Sequence, residues 1–153
     1  MKTIVTKKMW YGLNATVILG PGFLHRAGYG LLLLPHPPLV NSLLRYGLPE
    51  DAQERLSIIH EFAHLKTASF ALPYTALVFY LAYSLIGSLD WMTIVVLILS
   101  THAAWEMLAE TATIIESGHI YGNIYKHTPI TPRLLFWGIT TLLTLWGWYI
   151  ILM

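Results

Sequence analysis

The run His60-Glu61-Phe62-Ala63-His64 sets two imidazoles four residues apart, with a carboxylate next to the first. On a helix, residues four apart share a face, so both rings could reach one Zn²⁺. Glu61 would stand beside that metal as a general base, activating water and later handing its proton to a leaving amine. Such chemistry is hydrolysis of a peptide bond. A five-residue pattern recurs by chance, and the plainer reading is two histidines and a glutamate on the polar face of an amphipathic helix.

A catalytic zinc needs a third protein ligand and an open position. Glu106, in the segment HAAWEMLAE at 102–110, is the candidate, with Glu110 one turn further on. Both acids sit near the end of a strongly apolar stretch, where a carboxylate is expensive and usually faces a polar interior or marks a site. His102 lies one turn before Glu106 and is either a supporting group or a partner for a neighbouring helix.

Composition says what kind of chain must hold these groups. Of 153 residues 56% are hydrophobic and 11% charged, and the mean hydropathy is +0.58. Soluble domains carry about a quarter charged residues, so lipid is expected to cover much of this surface. The net charge of +1 and the lack of a basic cluster argue against nucleic acid as a partner. With no cysteine, disulfides, thiolate metal sites and cysteine nucleophiles are excluded. The N-terminus has lysines but no apolar run of signal-peptide length, so insertion is expected to rely on internal spans.

Three stretches have about the 20 residues needed to cross a hydrocarbon core: 67–87, 91–109 and 134–153. Only Gly87-Ser88-Leu89-Asp90 links the first two, so they must form a helical hairpin. That hairpin returns Glu106 to the membrane face where His60 and His64 lie. All nine Lys and Arg residues precede the first span or fall between the second and third. By the positive-inside rule, the N-terminal region and the 110–133 loop face the cytoplasm. Pro49, Glu50 and Asp51 supply the start of the helix over 49–66 that carries the histidines. Upstream, Asn14 to Leu19 and Tyr29 to Pro35 read as a β-hairpin around a glycine-rich turn, with a re-entrant or interfacial segment as the alternative. Ser42 to Tyr46 reads as a short helix. The expected fold is thus an α-helical integral membrane protein: one domain over 1–153, with three transmembrane helices and a small N-terminal β-hairpin.

The pattern HEFAHLK at 60–66, then two spans, then EMLAETAT at 106–113, resembles the HtpX and CAAX prenyl protease family. It also resembles the metalloprotease domains of β-lactam sensor-transducers. The resemblance covers roughly residues 29–113. It implies one Zn²⁺ held by His60, His64 and Glu106, with Glu110 supporting a zinc histidine in a place where the family has Asp. It further implies that Leu31 to Pro35 is an edge strand along which a peptide or membrane-protein substrate lies as an added strand. Family members hold the oxyanion with a His, Arg or Tyr downstream of the ligand Glu. His119, Tyr121, Tyr125 and His127 are the candidates here, and His119 is favoured.

Two other classes compete. Glu61-x-x-His64 and Glu116-x-x-His119, with Glu106 and Glu110, could build a di-iron carboxylate oxidoreductase site. Ser117-Gly118 inside the second motif weakens the helix that would present it. A non-catalytic, metal-stabilised membrane adaptor is the third class, although a structural site has no use for Glu61. A site-2-type protease would need Asp90, which the hairpin puts on the far face. A chain this small could also work as a homo-oligomer that closes its site between copies.

Overall fold

The computed structural model describes residues 3–9, 12–20, 25–29, 32–36, 43–126 and 128–153. Four strands come first: β1 (Thr3–Lys8), β2 (Asn14–Leu19), β3 (His25–Tyr29) and β4 (Leu32–His36). Four helices follow: α1 (Glu50–Ile86), α2 (Trp91–Ser117), α3 (His119–Tyr125) and α4 (Thr131–Leu152).

The strands form an antiparallel meander in the order β1-β2-β3-β4. This corrects the expected two-stranded hairpin. Tyr29 ends β3 opposite Ala15, and the strand anticipated from Tyr29 onward begins at Leu32 as a separate element. Thr3–Lys8, which carries two lysines, is a full partner of β2. His25 and His36 pair across β3 and β4. Period-two alternation puts Ala15, Val17 and Leu19 on one buried face, where Met9, Ala27 and Phe62 complete a small core. Phe62 belongs to α1, so the sheet packs against the HExxH segment. A helical turn at Leu43-Leu44 stands at the expected short helix, and Ser42 lies outside the described residues.

The HExxH segment and the first apolar stretch are one helix of 37 residues, and Pro73 lies inside it. At about 1.5 Å per residue it is roughly 55 Å long, far more than the ~30 Å of a hydrocarbon core. Asp90 caps α2, accepting from the Thr93 backbone N–H at 2.7 Å, and α2 runs on past Ala109 to Ser117. α1, α2 and α4 are each long and apolar enough to cross a membrane. Large apolar side chains point outward along them, among them Phe70, Tyr80, Leu142 and Leu152.

α2 and α4 meet at a close approach. Ser100 Oγ donates to the Thr144 carbonyl at 3.2 Å, and a Cβ added to Gly147 would run into the Ser100 side chain. Small residues at a helix crossing let backbones approach closely where apolar burial gives no net drive. Gly147→Val should therefore force the helices apart and cost about 1–3 kcal/mol. A lowered melting temperature by circular dichroism checks this, and an unchanged one would show that the crossing tolerates bulk.

Candidate metal centre

His60 and His64 occupy one face of α1, turned toward α2, while Phe62 faces the sheet. Antiparallel pairing of α1 and α2 brings Glu106 level with them. His60 Nε2 lies 3.1 Å from Glu106 Oε2 and 3.2 Å from His64 Nε2, and His64 Nε2 is 3.3 Å from Glu106 Oε2. All three residues are buried, and together they could hold a metal ion. Zinc bonds of about 2.0–2.1 Å in a tetrahedron imply ligand separations of about 3.3 Å, so the donor spacing fits that ion.

Glu110 supports this triangle from behind. Its Oε2 lies 2.9 Å from His60 Nδ1. Arg45 grips the same carboxylate with both terminal nitrogens, at 2.8 and 2.7 Å, and the Tyr121 hydroxyl also donates to it. A carboxylate so surrounded by donors only accepts, so His60 Nδ1 carries the proton. His60 Nε2 is left facing Glu106 Oε2 and His64 Nε2, where a metal ion could bind in place of a proton. Glu110 and Arg45 are 0% and 1% exposed, which makes this a fully interior ion pair.

The outer shell comes from segments that flank the helical hairpin. Arg45 follows the turn at Leu43-Leu44, and Tyr121 and Tyr125 come from α3. Tyr125 accepts from Arg45 at 2.7 Å and donates to the Leu44 carbonyl at 2.7 Å. Burial and the adjacent Glu110 carboxylate push the Tyr121 hydroxyl far above the ordinary phenol range, so it remains a donor. Burial works against the charge on Arg45, but Glu110 outweighs it and holds the guanidinium above its already high value. His102, 41% exposed at its side chain, lies 3.2 Å from Glu106 Oε1 and restrains the oxygen that faces away from the triangle.

Glu61 is buried at the next helical position after His60. On the other side, the Trp105 ring stands edge-on to His64 with centroids 5.5 Å apart, and its Nε1 donates to Thr67 Oγ1 at 3.1 Å. Trp105 is also one wall of an apolar groove of about 270 Å³, bounded by Phe70, Ala71, Tyr74, Ala104 and Leu108.

The structure does not bring every anticipated residue here. His119 is exposed on the first turn of α3, and among the described residues no hydrogen bond or ion pair joins it to the cluster. Tyr121, two positions on, reaches inward instead, as does Tyr125. Gly118, at φ 54° and ψ −135°, ends α2 between Glu116 and His119, and Glu116 pairs at the surface with Lys66 and with Lys7. The second ExxH therefore does not converge on the first. His127 lies outside the described residues. Arg45 and Trp105 had been given no role from sequence. The signal for Arg45 was an arginine directly after Leu43-Leu44, since a charge packed among apolar residues needs a partner.

Compared with known proteins, the chain matches no family model, no curated protein and no solved structure.

Wild-type protein should bind one equivalent of Zn²⁺ or Co²⁺ in equilibrium dialysis, and Glu106→Ala should lower that occupancy sharply. Glu116→Ala, at the surface, should leave it unchanged. Full occupancy in Glu106→Ala would mean that the third ligand lies elsewhere.

Proposed function

We propose that this chain is a membrane-embedded zinc-dependent endopeptidase of the kind its HExxH and downstream glutamate motifs resemble. The observation that carries this is the buried triangle of His60 Nε2, His64 Nε2 and Glu106 Oε2, with Glu61 at the adjoining helical position. Three ligands leave a tetrahedral ion one open position, the mark of a catalytic rather than a structural site. When bound, Zn²⁺ supplies a Lewis acid that polarises the scissile carbonyl and makes water acidic enough to attack it near neutral pH.

The chain's own groups supply the rest. Glu61 takes a proton from the attacking water as the oxygen bonds to the carbonyl carbon. It then delivers that proton to the amide nitrogen as the C–N bond breaks, and the acid's remaining proton passes to the amine, so the products are a carboxylate and an ammonium group. Glu110 fixes the tautomer of His60, and His102 steadies Glu106. β4 is an edge of the sheet, and its outer backbone groups would pair with an extended substrate independently of sequence. The groove beside Trp105 would take an apolar side chain next to the scissile bond.

Glu61→Gln is expected to keep its zinc and lose cleavage of an unstructured reporter peptide by about 10²–10⁴-fold. Unchanged cleavage would sink the mechanism, and two equivalents of iron in purified protein would favour the di-iron class instead.

The three apolar helices, with large side chains exposed along them, support a membrane location, and the placement of every Lys and Arg before the first span or between the second and third is the ground for reading the metal centre as cytoplasmic. Because the chain has no cysteine, single thiols can report this directly. Ser88→Cys should react with an impermeant maleimide on intact cells. Lys126→Cys should react only after permeabilisation, and the opposite pattern would invert the orientation.

A further inference from the structure

Arg45 is the least expected part of the centre. It comes from the link between β4 and α1, touches none of the three ligands, and is buried as completely as they are. Its two terminal nitrogens donate to both oxygens of Glu110, sharing Oε2 with His60 Nδ1. The Tyr125 hydroxyl holds one of those nitrogens in turn and is anchored to the Leu44 carbonyl. A carboxylate gripped by a planar fork is fixed in rotation as well as in place. Only one orientation then presents Oε2 to His60 Nδ1.

We infer that Arg45 is a positioning residue for the metal centre, acting through Glu110 to fix the ring orientation and tautomer of His60. Metal affinity is therefore coupled to the docking of the 43–48 link and of α3 against the helical hairpin. This rests on the metal-centre reading but not on the protease reading, because it concerns binding alone. The rival role for Arg45 is to balance the charge of Glu110 with no effect on His60.

The test uses the full-length protein in detergent. Zinc affinity is measured by chelator competition, and the His60 tautomer by ¹⁵N chemical shifts of the histidine rings in the zinc-loaded state. Arg45→Met should weaken zinc binding by roughly 10–100-fold and turn the single Nδ1–H tautomer into a mixture. Arg45→Lys keeps the charge but gives up the fork, so it should recover part of the affinity and still show tautomer mixing. Wild-type affinity and a single tautomer in folded Arg45→Met would overturn the inference and leave the metal centre standing. Should Arg45→Met fail to fold, Arg45→Lys decides: wild-type values in both measurements overturn the positioning role, and weakened binding with a mixed tautomer supports it. A wild type that takes up no metal overturns the metal-centre reading, and this inference with it.

Discussion

The hydrogen-bonded chain from Arg45 through Glu110 to His60 is the constraint around which the rest of the chain is arranged. A buried charge without a partner costs about 3–5 kcal/mol when its mate is removed, comparable with the whole stability of a small domain. Here three elements must be in place before the pair closes: the 43–48 link, α2 and α3. The ion pair is weak evidence for stability as such, since an apolar pair of the same volume would often serve as well. Its value lies in direction, because it leaves His60 one way to point.

The surrounding architecture follows from having to hold that network in a mostly apolar molecule. The sheet covers one side of the HExxH segment through Phe62, and α2 covers the other. Leu48, Leu56, Tyr121 and Tyr125 form a second apolar cluster beneath the Arg45 turn. Arg133, at the start of α4, stacks over the Tyr125 ring at 4.4 Å and carries the packing on to the third long helix. Polar groups are thus gathered at one end of the helical hairpin, and the far end is apolar on nearly every face.

The helices and the ligand triangle were legible in sequence because their signals are local and strong. Long uncharged runs, a four-residue turn and two carboxylates in an apolar stretch leave few arrangements. The sheet was only half legible: β2 shows its alternation plainly, but Thr3–Lys8 looks like a charged leader, and a glycine within β3 reads as turn. Gly28 nevertheless sits mid-strand, opposite Thr16. His119 is the favoured candidate from sequence, yet the helix that begins at His119 leaves it exposed and buries Tyr121. Which of two neighbours faces inward depends on where a short helix begins, and no periodicity over seven residues settles that. Arg45 carries only a weak local signal for a related reason: its partners lie 65 and 80 positions away in the chain.

The groups of the candidate centre are divided between the two arms of the helical hairpin, with His60 and His64 on one and Glu106 and Glu110 on the other. During synthesis, the growing chain must therefore pass Glu106 and fold back before a three-ligand site exists, and Tyr121 and Tyr125 emerge later still. A ribosome-bound fragment ending at the Gly87 turn has the two histidines and the glutamate between them, but no place to lodge an ion tightly. Any metal binding of which the finished molecule is capable is thereby withheld from the nascent one.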